Sequence, residues 1–566
     1  MLLRSVARHF YNAATHAENG GSSGCQQRLT NSLPQPSASS ATIGVPHKAR
    51  TAGVVGIVTV GVALLGYLRE AALAAHFGIS ATMDAYFAAI FVPNILYVVL
   101  IAGTLSPVFI PILLQENPEE HPDKAGITFS VITNFSLLVL VVAVMCGVFT
   151  ARQWLPVLFP GFSHPTADLA VRLIYIIFPA LPFLAAAGIL TALLNGFHKF
   201  WLAAFTPAFS SISVIAAVLF FHNERAIYAV GIATALGFFL QCLILLPATA
   251  SLGIRYRPVL DFHHPAIRKL LRLGVPLFLY LVVANVSLVL ERNFASRISA
   301  GAISTLTYAL RLFTVPSNFL AAPLAIVAYP GFAREAVREQ RGELAAKTSR
   351  LFRLVLFLFL PVTVWIVLNS NAVTRVLYEH GKFSAADSWI TSRILAIYSV
   401  GIVPNAIAIV LLRCFYAIED TMTPLLAELV ELVFFASAAP FVARRFAIEG
   451  LAAARSMTFI IVMAILLAVL ARRDLLRFTG IARFLLRTTA ATIVMGFTSW
   501  ISWHFLGMIF DTAGTLGRLA VLVVVLGLSV GIFLWIALAL RLEEARQIMN
   551  MVADLIPGRT HRSSGK

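Results

Sequence analysis

Long apolar runs recur along the chain from about residue 53, separated by short loops that carry most of the charge. Fourteen of these runs are long enough for a helix to cross a bilayer, which takes about 20 residues. They cover 53–75, 82–113, 125–150, 166–195, 201–221, 226–249, 267–296, 302–330, 351–370, 387–416, 423–442, 447–470, 484–506 and 517–540. Several are longer than a span requires and contain proline, which predicts long, tilted or broken helices. The pattern predicts an all-α polytopic membrane protein with about 14 transmembrane helices.

The stretch from Gly66 to Pro111 interrupts its own apolar pattern. Arg69, Glu70 and Asp84 lie in or at the edge of two spans, and Pro93, Pro107 and Pro111 break the second. A charge at mid-bilayer costs about 2.5–3.5 kcal/mol on insertion scales, so such groups persist where they face water or protein. Carbonyls freed by a spanning proline likewise need a protein-lined or wet interior. This pair of spans is expected to line a cavity.

An internal repeat extends that expectation. Pro93 in FVPNIL and Pro316 in TVPSNFL are separated by the same offset as Pro107 and Pro330, Gly78 and Gly301, and Arg69 and Arg292. Six spans per unit is an even number, so two duplicated lobes point the same way, as in transporters with a site between parallel repeats. The implied organisation is an N-lobe over 51–250 (helices 1–6), a C-lobe over 251–472 (helices 7–12), helices 13 and 14 over 473–545, and a cytoplasmic tail over 546–566. Residues 1–50 are rich in Ser, Gly, Pro and Gln, cannot build a packed core, and read as a disordered cytoplasmic extension.

Composition agrees. Of 566 residues, 59% are hydrophobic and 12% charged, and the net charge is +17. The basic residues concentrate in loops such as 255–272, 334–353 and 472–487, which places those loops and both termini in the cytoplasm by the positive-inside rule. The charge therefore reads as topological, and no nucleic acid is expected as partner. Cys25, Cys146, Cys242 and Cys414 have neither metal-ligand nor disulfide spacing, and His198, His263, His264 and His380 sit in loops without metal-site spacing. No metal site follows. A phosphate-cradling GxxxxGK[ST] loop is missing from the sequence, so ATP hydrolysis by this chain is not expected.

At this point a resemblance enters. LGYLREAALAAHFG, MDAYFAAIFVPNIL and AGTLSPVFIPIL, continued by FTPAFSSIS (205–213), LTYALRLFTVPSNFLAAPLA (306–325), YEHGKFSAADSWITSRILAIYSVG (378–401) and CFYAIEDTMTP (414–424), resemble the MurJ/MviN lipid II flippases. That family lies in the multidrug/oligosaccharidyl-lipid/polysaccharide exporter superfamily. The resemblance covers nearly everything after residue 50. It implies two six-helix lobes around a cationic cavity and a groove for a polyprenyl tail at the last two helices. Its implied function is alternating-access transfer of undecaprenyl-pyrophosphate-linked sugars from the inner to the outer leaflet of the bacterial inner membrane. Peptidoglycan synthesis, cell-wall biogenesis and cell shape follow from that. Implied partners are the polyprenyl-pyrophosphate-linked glycan, membrane lipids and the cell-wall synthesis machinery. The chain departs from the family pattern at Ala63, Tyr97 and Ala102, and at Leu310 and Thr314 around Arg311. These departures keep open a flippase for another polyprenyl-linked oligosaccharide, of exopolysaccharide or O-antigen type. A drug/cation antiporter of the same superfamily would need a carboxylate-dominated cavity, against the arginines here. A membrane glycosyltransferase would need a large outer loop with catalytic residues.

Candidate residues fall into two sets. Arg69 and Arg311 are expected to grip a pyrophosphate, because a guanidinium offers paired donors to phosphate oxygens. Arg292, Asp84 and Asn94 complete the substrate-binding set. The alternatives are a snorkelling Arg69, an interfacial Arg292, and an Asp84 that serves as a helix-start carboxylate or pairs with Arg69 to close an outer gate or hold the arginine. Glu428 and Glu431, three apart on one helical face, and Glu291, adjacent to Arg292, are candidates to bind a coupling cation or share a proton. The alternative for the glutamates is structural pairing with a neighbouring helix. No cofactor is expected; the drive would be a sodium ion, a proton or the membrane potential. The chain is expected to be a transporter without enzymatic activity.

Overall fold

The computed structural model describes residues 45–555, except 103–104, 117, 119, 198, 224, 255, 339 and 510–513. Most of the expected disordered extension and the end of the expected tail lie outside the described residues. Residues up to Gly56 are described only as the opening turns of the first helix (Val45–Phe77), and Ile57–Lys566 forms one unit.

The described residues are almost wholly helical, with no strand among them. We number the spans α1 (Gly56–Phe77), α2 (Ala81–Ile101), α3 (Pro122–Phe149), α4 (His164–Gly196), α5 (Phe200–Phe220), α6 (Ala226–Ala250), α7 (Pro265–Ser296), α8 (Ala302–Val337) and α9 (Arg341–Tyr378). Two helices, Ala385–Ser399 and Ile402–Ala417, meet at a 45° bend and are treated together as α10. A single helical run, Met422–Arg472, covers 51 residues but has non-helical φ/ψ at Ala447. A straight helix would hold Glu431 and Arg455 about 36 Å apart at 1.5 Å per residue, yet their side chains meet at 2.9 Å. The chain therefore doubles back near Ala447, and the run is two spans, α11 (422–446) and α12 (448–472). With α13 (Ile481–Met508) and α14 (Thr515–Ala539), every apolar run expected to span is helical. A last helix, α15 (Glu543–Leu555), occupies part of the expected tail, with Leu542 and Ala545 buried at its start.

Local chemistry sets the boundaries. Gly78, at φ 61°, ends α1 in a left-handed turn that favours glycine. Ser80 then caps α2, its side chain accepting from the Met83 N–H at 3.2 Å. A capping box opens α10: Ser384 accepts from Asp387 N–H (3.1 Å) while the Asp387 carboxylate accepts from Ser384 N–H (2.8 Å). Gly301, the repeat mate of Gly78, also has positive φ (86°) and opens α8. Both α2 and α8 loosen into a π-helical turn just past their matched prolines, at Val98–Ala102 and Ser317–Ala321. Such turns mark helix breaks and functional sites.

The two halves of the chain meet at both ends of the bundle. At one end Lys382 N–H donates to the Ala75 carbonyl at 2.7 Å. Added side-chain carbons at Gly381 or Gly301 would collide with Ala75 and Ile79, so this approach requires glycine. Phe87 packs edge-on against Tyr308 at 5.5 Å, and Tyr308 against Tyr378 at 5.1 Å. At the other end Lys269 of α7 donates to Gln115, and Arg257 pairs with Asp123 at 2.6 Å. Between these closures lies the cavity. Helices α13 and α14 pack on each other and on α9, with Phe357 and Phe533 rings 5.0 Å apart.

Candidate functional site

The arginines expected to bind substrate converge between α1, α2, α7 and α8. Arg292, Arg311 and Asn94 line one cavity of about 160 Å³, with Phe87, Phe91 and Thr307. Arg69 joins them through Glu70: Arg69 Nη2 lies 2.7 Å, and Arg311 Nε 3.4 Å, from Glu70 Oε1. Arg311 is the accessible member, with 47% of its side chain exposed against 18% for Arg69. Arg292 is held more firmly, donating to Thr307 Oγ1 and, at 3.4 Å, to the Ile303 carbonyl, with its guanidinium 5.1 Å over the Phe91 ring. Three guanidiniums against the carboxylates of Glu70 and Asp84 leave the site with a net positive charge, suited to a diphosphate.

Asp84 departs from the substrate-binding expectation. Its side chain is buried, and its carboxylate oxygens accept from the N–H groups of Gly301 (2.6 Å) and Ser304 (2.7 Å). Both oxygens satisfy the open N–H groups at the start of α8, where the helix dipole favours an anion. The helix-start alternative is right in kind, but the helix served is α8 in the other half, not Asp84's own.

The acidic set also differs from expectation. Arg455 of α12 fills the space between Glu291 and Glu431, donating to Glu291 Oε2 through Nε (3.2 Å) and Nη2 (3.1 Å) and to Glu431 Oε1 through Nη1 (2.9 Å). Ser287 accepts from Nη1 at 3.2 Å, Tyr398 O–H donates to Glu291 at 2.6 Å, and the Phe435 ring lies 4.9 Å from the guanidinium. All three charged residues are buried. Glu291 and Glu431 are therefore both engaged by Arg455, which is the structural-pairing alternative for these glutamates. Glu428, one turn from Glu431, is half-buried and makes no ion pair among the described residues. Adjacent Glu291 and Arg292 serve different sides of α7, as their spacing predicts.

Of the residues that differ from the family pattern, Tyr97 packs on α4: an added carbon at Gly188 would lie 3.0 Å from its ring and hydroxyl. Asp420, in the turn before α11, accepts from Thr423 N–H (2.9 Å) and Thr423 O–H (2.7 Å) and pairs with Arg473 (2.7 Å). Burial pushes its carboxyl up, but these donors outweigh it and hold the group below the ordinary value. Beside α9 and α14 lies an apolar groove of about 500 Å³, lined by Phe357, Pro361, Trp365, Val530 and Phe533, with Ile548 of α15 among its walls.

Sequence reasoning left Arg455 unremarked, although a lone arginine in an apolar span carries the same cost argument as Arg69. It also left Glu70 without a role.

The family model described as "Lipid II flippase MurJ" matches residues 73–525. A probable lipid II flippase MurJ of Rhizobium tropici is 30% identical over 391 residues, covering 66% of this chain and 71% of that protein. A probable lipid II flippase MurJ of Vibrio cholerae serotype O1 is 27% identical over 514 residues, covering 87% of this chain and 96% of that protein. A solved structure titled "Lipid II flippase MurJ, inward closed conformation" superposes with a TM-score of 0.72 at 24% identity, over 86% of this chain and 98% of that one. An inward-facing multidrug resistance MATE family transporter of the MOP superfamily shares the fold at TM-score 0.60 and 14% identity, over 74% of this chain and 98% of that one.

Proposed function

Because the chain belongs to the lipid II flippase MurJ family, we propose that it carries lipid II from the inner to the outer leaflet of the bacterial inner membrane. It is a multi-pass transporter, not an enzyme, and its work belongs to peptidoglycan synthesis. The observation that carries the assignment is the meeting of Arg69 and Arg311 on Glu70 beside a cavity that Arg292 and Arg311 line, between the halves of the bundle. A guanidinium pairs with phosphate oxygens through two parallel N–H donors, so these side chains bind the pyrophosphate at the junction of tail and sugar.

In this reading the pyrophosphate enters from the cytoplasmic end, where both termini lie, while the polyprenyl tail runs in the dry groove along α9 and α14. The lobes then rock about the π-helical turns of α2 and α8, parting the contacts at Gly301 and Gly381. With Arg455 filling the Glu291–Glu431 pair, the reset is assigned to the membrane potential, which supplies about 2.3 kcal/mol per charge per 100 mV. Cell-wall enzymes at the outer face are the natural partners.

The test is replacement. A bacterium depleted of its own lipid II flippase, and supplied with this gene, regains outward movement of lipid II. No rescue from well-expressed, membrane-inserted protein overturns the assignment.

A further inference from the structure

Buried beside the cavity that receives the pyrophosphate, and holding one of its lining arginines, lies an anion of the protein's own. Glu70 is 2% exposed and takes both Arg69, from its own half, and Arg311, from the other, onto the single oxygen Oε1. Its second oxygen, Oε2, is buried with no hydrogen-bond partner among the described residues, as are Arg69 Nε and the Tyr308 hydroxyl. Carboxylate–guanidinium pairs ordinarily use both oxygens and two nitrogens in a parallel fork. Here the fork is half made. One oxygen is shared by two cations, and donors and an acceptor that a fork would satisfy are left buried and open, which is unfavourable for each of them. The arrangement holds the arginines in place without satisfying them.

Resting on the reading of this cavity as a pyrophosphate site, we propose that Glu70 is its specificity-setting residue, a resident anion that a lipid diphosphate displaces and the single phosphodiester of an ordinary phospholipid does not. The argument is competitive. Any anion that reaches Arg69 and Arg311 must first take them from Glu70. A phosphodiester brings one negative charge and meets a carboxylate of equal charge already bound. A diphosphate brings more charge and two phosphoryl groups, enough to engage Arg69 and Arg311 together and use the donor at Arg69 Nε. Glu70 then loses its contact with Arg311, and an ion bridge between the halves of the bundle opens at the moment the right headgroup arrives. Phospholipids surround the protein in great excess, so a cationic cavity without such a competitor would be filled by them.

The test uses the full chain, purified in detergent, with lipid II and phosphatidylglycerol titrated separately. In the native protein lipid II binds much more tightly than phosphatidylglycerol. E70Q preserves size and removes the charge. If the arginines are free of Glu70 in about one molecule in ten, its affinity for phosphatidylglycerol rises about tenfold, and the preference for lipid II shrinks. E70D keeps the charge on a shorter arm and retains more of that preference than E70Q, which also separates competition from a packing effect; should E70Q fail to accumulate, E70D against native protein reads the same ratio. An unchanged preference in the variants, or weaker binding of both lipids, overturns the proposal. Failure of native protein to bind lipid II would instead sink the functional assignment, while the phosphatidylglycerol arm would still report on Glu70.

Discussion

Asp84 on α2 closes the open end of α8 in the other half of the chain, its two oxygens accepting from Gly301 and Ser304. A cap normally serves the helix that carries it; this one ties the halves together. Asp84→Asn keeps one acceptor oxygen but loses the charge, costing about 1–2 kcal/mol of cap and dipole energy. The expected result is a bundle that parts more readily at this end. Labelling by a membrane-impermeant maleimide of a cysteine placed at Ala302, in a background without native cysteines, should rise several-fold. Unchanged labelling removes Asp84 from the closure.

Arg311 is the most exposed cavity arginine and Arg292 the most constrained. A hydrogen bond to a charged partner is worth about 1.5–3 kcal/mol. Arg311→Ala and Arg69→Ala should each reduce lipid II binding by at least tenfold and abolish transport. Arg311→Ala leaves the melting temperature near that of the native protein, while Arg69→Ala lowers it because Glu70 loses its closest partner. Normal transport in both variants would remove them from the site.

Arg455 carries the opposite kind of role. Arg455→Met leaves Glu291 and Glu431 buried without their cation, a loss of about 3–5 kcal/mol for a broken buried pair. Melting temperature should fall sharply and recover when Glu291→Gln and Glu431→Gln are added. The same geometry predicts equal transport rates in sodium and choline media; strict dependence on sodium would show that a cation does bind among these carboxylates.

Asp420 offers a pH test outside the spans. Its folded value lies below the 3.8 of a free aspartate, so its contribution is present above pH 3.8 and fades as pH falls through the folded value. With Arg473 partly exposed, the effect is at most about 1 kcal/mol. The melting difference between native protein and Asp420→Asn should stay constant from pH 8 to pH 5 and close under stronger acid. A gap that widens with acid would contradict the sign.

The number of spans and the breaks at the matched prolines were legible because each is set by local sequence, while Gly78 and Gly301 were visible only as repeat mates and not as left-handed turns. That Arg69 and Arg311 lie in the interior followed from the cost of charge in hydrocarbon, whereas Arg292 was tied to them only by the repeat offset. Partner choice was not legible. Asp84 looked like a residue for its own helix because its true partners lie more than two hundred positions away, and Glu291 and Glu431 looked available because Arg455 reaches them only once the chain folds back at Ala447. Local rules state that a buried charge must be answered; only the packing states by whom.

If the polyprenyl tail lies in the dry groove, as proposed, the groove's length limits how much of the tail the protein covers. Its wall on α9 runs from Phe357 to Ile366, about 15 Å of helix at 1.5 Å per residue, against roughly 30 Å of hydrocarbon in a bilayer. A polyprenyl chain lying there is covered for only about half the thickness of the leaflets. The rest stays in the lipid throughout the cycle. On the proposed reading, in which the tail lies in this groove, the headgroup turns over while most of the tail stays in lipid, and tails of quite different length should be carried at similar speed.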